Sequence, residues 1–269
     1  MPDQTYRDKV VIVTGASSGI GRALALLLAE QGARLALGAR NLARLQEVAA
    51  ACETRGGKAL AIQTDVSKEG DCRWLVDHTA DTCGGVDLLI NNAGITMWAR
   101  CDEMETLKPF QDIMRVNYLG SVYCTYFALP HLKRSRGQIV AVASLAGKTG
   151  VPLRSGYAAS KHAVVGFFDS LRIELAGSGV GISVVYPDFV RTETHARAFG
   201  ADGAPLGKSP LQAERVMTAE ECAQHILAAA ASRRRDTILG LRGRLGLWLK
   251  LIAPGLVDRM ASRAIARGR

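Results

Sequence analysis

Tyr157 and Lys161 stand four residues apart in a stretch of helical periodicity, Tyr157–Ala176. That spacing puts both side chains on one face of a helix. A phenol titrates near pH 10, too high for a general base at neutral pH. A neighbouring ammonium favours the phenolate and brings proton transfer within reach. Ser144 closes an apolar run, Gln138–Ser144, where its hydroxyl can hydrogen-bond a substrate oxygen. Taken singly these are a helix-contact tyrosine, an exposed lysine and a strand-capping serine; taken together they are an acid–base set. A second chemistry lies near the N-terminus, in Thr14-Gly15-Ala16-Ser17-Ser18-Gly19-Ile20-Gly21, between a β-branched run and an amphipathic helix. Glycines there let backbone N–H groups approach a pyrophosphate, and the helix N-terminus adds positive potential. Without a ligand the same residues make a tight strand–helix turn.

Both sites need a scaffold. Short apolar runs occur at Lys9–Gly15, Arg34–Arg40, Ala59–Val66, Val86–Asn91, Gln138–Ser144, Gly181–Tyr186 and Thr237–Gly240. Helical patterns lie between them at Gly19–Gln31, Leu42–Arg55, Lys68–Cys83, Lys108–Arg134, Tyr157–Ala176 and Ala219–Ser232. Several runs are apolar at every position, as strands covered on both faces are. The alternation predicts an α/β fold: one domain with a doubly wound, Rossmann-type parallel sheet and helices on both faces. Such sheets bind ligands at the carboxyl ends of their strands. The expected division is a dinucleotide-binding and catalytic domain over residues 1–240 and a basic amphipathic C-terminal extension over 241–269. The long irregular stretch at about 189–218 reads as a substrate lid.

Composition narrows the class. Of 269 residues 48% are hydrophobic and 22% charged, which excludes a disordered chain. The opening MPDQTYRDKV is polar, so no signal peptide is expected. Six scattered cysteines without a CxxC pair read as reduced thiols, and the expected location is cytoplasmic. The five histidines lack ligand spacing, so no metal is expected. The net charge is +9, and from Ser232 onward ten basic residues face two acidic ones, leaving +8 in that tail. Nucleic acid is therefore not an expected partner.

The spacing TGxxxGxG is one of several separate matches. The others are Asp65-Val66, Asn91-Asn92-Ala93-Gly94, Asn117, Ser144, Tyr157-Ala158-Ala159-Ser160-Lys161 and the stretch from Pro187 through Thr192. In this order they resemble the short-chain dehydrogenase/reductase superfamily over about residues 8–240. The resemblance implies that Tyr157 donates a proton in reduction and takes it in oxidation. Lys161 would lower the tyrosine pKa and hold the nicotinamide ribose. Ser144 would orient the carbonyl, and Asn117 would hold a water linked to Lys161. Implied cofactor contacts are Gly15, Ser17, Ser18, Gly19, Ile20 and Gly21 at the pyrophosphate, and Asn92, Ala93 and Gly94 on the adenosine side. Asp65 would meet the adenine amino group and Val66 its ring, although Asp65 also reads as a helix N-cap. Pro187, Val190 and Thr192 complete the set, Thr192 at the carboxamide. The family commonly has Gly where this chain has Asp188.

Cofactor choice turns on Leu37-Gly38-Ala39-Arg40. NAD-selective folds carry an acid near this point to bind the ribose 2′-OH. Here Ala39 takes that place, and Arg40 can bind a 2′-phosphate, so NADP(H) is expected. Arg22 would add positive potential. The pocket positions Ile95, Leu145, Val151, Arg154 and Phe189 are mostly apolar, as are Met97 and Trp98 at the rim. The expected activity is NADP(H)-dependent interconversion of a hydrophobic ketone or aldehyde and its alcohol. The alternatives are an NAD(H)-using relative and a non-catalytic nucleotide-sensing scaffold. His195 in the lid is a candidate substrate contact; Trp74, Trp98 and His162 read as packing residues. Helices at 108–134 and 157–176 resemble those forming four-helix interfaces in this family, so a homodimer or homotetramer is expected. The tail's apolar cluster, with Leu245, Trp248, Leu251 and Ile252, has two readings: a membrane-surface segment, or packing over the lid or a neighbouring subunit.

Overall fold

The computed structural model describes residues 5–210 and 216–266. Seven strands form one sheet: β1 (Val10–Thr14), β2 (Arg34–Ala39), β3 (Lys58–Gln63), β4 (Leu88–Asn91), β5 (Gln138–Val142), β6 (Gly181–Tyr186) and β7 (Asp236–Ile238). Their order is β3-β2-β1-β4-β5-β6-β7, with every pair parallel. The doubly wound single domain expected from the sequence is thus what the chain forms. The β1 and β5 strands are buried at every position, which is why they read as unbroken apolar runs. The last strand is the exception. It begins at Asp236, not Thr237, and its edge is partly exposed.

Two cores lie on opposite faces of the sheet. One is filled by α1 (Gly19–Glu30), α2 (Leu42–Glu53) and α7 (Ala219–Ala231), with Leu24, Leu28, Leu45 and Ile226 fully buried. The other is filled by α3 (Glu69–Cys83), α5 (Gly120–Ser135) and α6 (Ser155–Glu174), with Leu75, Leu132 and Phe168 fully buried. Local chemistry sets the helix ends. Asn41 accepts a hydrogen bond from the Arg44 N–H at the start of α2. Thr218 and Glu221 form a reciprocal capping box on α7. Gly84 closes α3 in the left-handed conformation.

The stretch 108–134, expected as one helix, has three parts. It begins as α4 (Lys108–Ile113), opens into a π-helical turn over Met114–Leu119, and continues as α5. A π turn inside an α-helix carries one extra residue and is frequent at functional sites; here it contains Asn117. Trp74, expected to pack, is exposed on α3 and stacks on His78.

Beyond the sheet, α8 (Leu241–Ile252) and α9 (Pro254–Ala266) form the tail. Gly243 meets Leu145 so closely that a Cβ there would lie 2.7 Å from Leu145 Cδ1. Farther on, Leu245, Trp248, Leu251 and Ile252 are exposed, whereas Leu247 and Leu249 are half-buried. No helix among the described residues is long and apolar enough to cross a membrane. Residues 211–215 of the expected lid, and Arg267 and Arg269 of the tail, lie outside the described residues.

Candidate active site

β1 has β2 on one side and β4 on the other, and the chain winds outward in both directions from there. Open sheets of this kind have a crevice at the carboxyl ends of such strands. Here it is a cleft of about 520 Å³ that runs from Arg40 and Asp65 to Tyr157 and His195.

Thr14, the last residue of β1, holds the cleft floor together. Its hydroxyl donates to the Ile90 carbonyl at 3.3 Å and accepts from the N–H groups of Asn92 and Ala93, each at 3.0 Å. Asn92 returns a side-chain bond to the Thr14 carbonyl at 2.9 Å. The two strand ends are thereby fastened at the point where the glycine turn begins. Gly15 and Gly19 take positive φ angles of 67° and 54°. A Cβ on Gly15 would lie 2.9 Å from the Ala93 Cα, and one on Gly19 would lie 3.1 Å from Thr192 Cγ2. Only glycine leaves this cradle open. Ser17, Ser18, Gly19 and Ile20 line it. Gly21 does not: it is buried behind the turn, where a Cβ would lie 2.2 Å from the Gly15 carbonyl oxygen. It lets α1 pack closely rather than meeting a ligand. An open backbone cradle at the start of α1 fits a dinucleotide pyrophosphate.

At the far end, Arg40 is exposed and lines the cleft with Asp65 and Val66. Asp65 is not the cap of α3, which starts at Glu69 behind Lys68. Its Oδ1 accepts from the Ser67 N–H and hydroxyl, closing a local turn. Arg22, expected nearby, is exposed on α1, outside the lining, and its charge acts on Cys52 of α2.

At the near end, β5 delivers Ser144 and α6 delivers Tyr157 and Lys161 to one wall. Lys161 is buried, donates to the Val142 carbonyl at 2.9 Å, and lies 5.8 Å from the centre of the Tyr157 ring. Burial pushes the Tyr157 phenol up. The charges of Lys161 and Arg154, with hydrogen bonds from Ser144 and Arg154, outweigh it, and the phenol titrates below its ordinary value. Lys161 is itself held low, by burial first and by Arg154 second, against the pull of Tyr157. Both groups titrate below their ordinary values, and for Tyr157 that is the direction that favours proton transfer.

Asn117 lies outside the lining, and its amide is fully engaged. Oδ1 accepts from the Ile95 N–H at 2.8 Å, while Nδ2 donates to the Ile95 carbonyl at 3.0 Å and the Ser160 hydroxyl at 2.9 Å. Ser160 in turn donates to the Tyr157 carbonyl at 2.7 Å. Asn117 thus ties the loop after β4 to the helix that carries Tyr157. Gly94 separates it from Lys161: a Cβ there would lie 3.4 Å from Asn117 Oδ1 and 3.7 Å from Lys161 Nζ.

Pro187, Val190 and Thr192 line the cleft as expected, and Arg191 donates its N–H to the Met217 carbonyl at 2.9 Å. Asp188 takes no left-handed φ, so a side chain fits there without strain. Of the expected pocket positions, Ile95, Arg154 and Phe189 line the cleft, whereas Leu145 and Val151 do not. Arg154 stands out. It is 5% exposed, follows Leu153 in the left-handed region at φ 65°, and donates to Thr96 Oγ1 through Nε and Nη2. Its prominence was not legible from pattern, and neither were Thr14, Thr96 and Ser160 as partners. Their signal is only a hydroxyl or guanidinium beside a motif. His162 sits on an outer face of α6 against the Ala158 carbonyl. Trp98 packs at the rim with Phe189. No group of three or more His, Cys, Asp or Glu side chains could hold a metal ion among the described residues.

Residues 9–202 match the family model for short chain dehydrogenases. A relative from Sesamum indicum, 11-beta-hydroxysteroid dehydrogenase A, is 37% identical over 93% of this chain and 73% of its own length. A short chain dehydrogenase/reductase from Burkholderia phymatum, solved in complex with NAD, has a TM-score of 0.82 and 27% identity over 94% of this chain and 96% of its own. The alcohol dehydrogenase from the archaeon Thermococcus sibiricus, complexed with 5-hydroxy-NADP, has a TM-score of 0.74 and 27% identity, covering 86% and 95%.

Proposed function

The chain belongs to the short-chain dehydrogenase family of oxidoreductases, and on that premise we propose that it interconverts a ketone or aldehyde on an apolar frame with the corresponding alcohol, using NADP(H). The observation that carries the reading is Tyr157, flanked by Lys161 and Ser144, in the wall of a cleft whose floor is a glycine cradle. A bound nicotinamide supplies or accepts the hydride. In reduction Tyr157 gives its hydroxyl proton to the substrate oxygen, and in oxidation it takes that proton back. Lys161 and Arg154 stabilise the phenolate left between these steps. Ser144 holds the substrate oxygen by hydrogen bonding. Asn117, through Ile95 and Ser160, keeps the two walls in register.

Support for NADP(H) comes from Ala39 and Arg40. Ala39 offers no acceptor to a ribose 2′-OH. Asn41, two residues on, has its Oδ1 engaged by the Arg44 N–H in capping α2. Arg40 is exposed at the cleft and can form a charge-assisted contact with a 2′-phosphate.

Exposed Tyr126 on α5 and Ile173 on α6 support a homo-oligomer built on those helices. The tail supports a membrane-surface reading: Leu245, Trp248, Leu251 and Ile252 are exposed beside Arg244, Arg259 and Arg263. The stretch at about 189–218 is read as the substrate lid. The experiment that tests the central reading is turnover of a panel of apolar ketones with NADPH and with NADH. No turnover with either cofactor would defeat it.

A further inference from the structure

Arg233, Arg234 and Arg235 follow one another between α7 and β7, and their side chains have different fates. Arg233 donates to the carbonyls of Gly179, Arg136 and Gly137. Arg235 pairs with Asp169 and Asp236. The Arg234 side chain, between them, is exposed and makes no hydrogen bond or ion pair among the described residues. It lines a cavity of about 200 Å³ between α7, β7 and the start of α8, which shares no lining residue with the catalytic cleft. His225 of α7 and Arg244 of α8 line it too, and no acidic residue does. Glu221, one turn before His225, is committed to the capping box of α7. Arg244 is exposed and donates through Nε to the Ile238 carbonyl at 3.4 Å, which leaves the fork of its terminal nitrogens uncommitted. The α8 wall is seated by Gly243, where a Cβ would lie 2.7 Å from Leu145 Cδ1 and 3.3 Å from Ile238 Cγ2.

Two guanidinium groups and an imidazole around one cavity, without a carboxylate, suit an anion, and arginine forks match the oxygens of a phosphate. The place of Arg244 on α8 points to the source of that phosphate. Trp248 and Leu251 follow it at four and seven residues, so the three side chains share one stripe of the helix. Trp248 and Leu251 are exposed, with Leu245 and Ile252 beside them. An interfacial helix sinks such a stripe to the boundary between headgroups and acyl chains. Arg244, at the end of the stripe, is the group left at headgroup level. We propose that this cavity binds the phosphomonoester headgroup of an anionic phospholipid, with Arg234 and Arg244 holding the phosphate and α8 laid on the bilayer beside it. This rests on the membrane-surface reading of the tail and adds a specific headgroup to it. A phosphomonoester carries about −1.5 to −2 charges and three acceptor oxygens near neutral pH, enough for both forks. A diester headgroup offers fewer oxygens and less charge.

The full chain is sedimented at low salt with phosphatidylcholine vesicles that contain either phosphatidic acid or phosphatidylserine, the two matched in zeta potential. Partition into the phosphatidic acid vesicles is expected to be about tenfold stronger or more, as hydrogen bonds to charged groups allow. Arg234→Gln with Arg244→Gln should bring the two vesicles level. Arg234→Gln alone, which breaks no bond of the fold, should lose part of the preference. Arg259→Gln with Arg263→Gln removes the same charge from α9, outside the cavity, and should weaken both partitions while keeping their ratio. Equal partition of the parent into both vesicles would overturn the headgroup site and leave the membrane-surface reading standing. An undiminished ratio in the Arg234 and Arg244 double variant would overturn the site as well. Glycerol 3-phosphate bound as tightly without vesicles would assign the cavity to a soluble phosphate ester and overturn the lipid proposal. Binding to neither vesicle would defeat the membrane-surface reading, and the site with it.

Discussion

The Arg154 guanidinium lies over the ring of Tyr157, 4.1 Å from its centre, so one phenol is flanked by two cations, this one and Lys161. Burial alone would raise the phenol, and both cations pull it down. Arg154→Met removes one of the opposing charges, and the phenol pKa should rise. Alcohol oxidation needs the phenolate, so the rising limb of kcat/KM against pH should move to higher pH. The falling limb in ketone reduction should move the same way. A pH profile of the variant that overlays the parent's would contradict this. Arg154→Lys should fall between the two.

Tyr157→Phe keeps the ring and removes the transferable proton. General acid–base catalysis contributes roughly 10²–10⁴-fold, so kcat should fall by at least the lower figure. Cofactor affinity, followed by fluorescence titration, should change little. Near-parental turnover would remove Tyr157 from the proton path.

Arg40→Ala should weaken NADPH use and spare NADH use. A charge-assisted hydrogen bond is worth about 1.5–3 kcal/mol, or roughly 10–150-fold in kcat/KM. Equal efficiency of the parent with both cofactors would refute the assignment.

The buried imidazole of His195 bears on stability. It is held neutral with a pKa of about 4 against an ordinary 6.5, so the unfolded chain binds a proton that the folded chain refuses between those values. Its contribution is complete above pH 6.5, declines as pH falls below it, and is fully lost below about 4. The difference in melting temperature between the parent and His195→Phe should therefore vary across that window. A constant difference would show that His195 titrates normally.

The tail can be tested with vesicles. The full chain should co-sediment with anionic liposomes at low salt and release at high salt, because each surface Lys or Arg contributes only about 1 kcal/mol through a screened attraction. A chain ending at Gly240 should not bind. A truncated chain that merely changes its oligomeric state would assign the exposed leucines and Trp248 to a subunit contact.

The strands were legible because buried parallel strands are apolar at every position, as Val10–Val13 and Ile139–Val142 are. Tyr157, Lys161 and the glycine turn were legible because spacing alone sets which face or turn they occupy. Arg154 was only a family position. What turns it inward is a left-handed Leu153, and nothing in a leucine announces that conformation. Trp74 misled because a large apolar residue at a helix position suggests burial, whereas here it stacks on His78 in solvent. The partnership of Asn117 with Ser160 crosses 43 residues of chain and becomes visible only when α6 is laid beside the π turn.

That turn has a consequence of its own. Met114–Leu119 contains no proline or glycine, and its sequence is compatible with an ordinary helix. Its extra residue shifts the phase of everything before it by about 100° relative to everything after. The position of Asn117 is therefore written in the length of the chain as well as in the identity of the residue. Deleting Val116 would keep every side chain that bonds to Asn117 yet let the helix close to regular pitch and rotate α4 away from α6. A scan of point substitutions would pass over this dependence, because no exchange of one side chain for another resets the count.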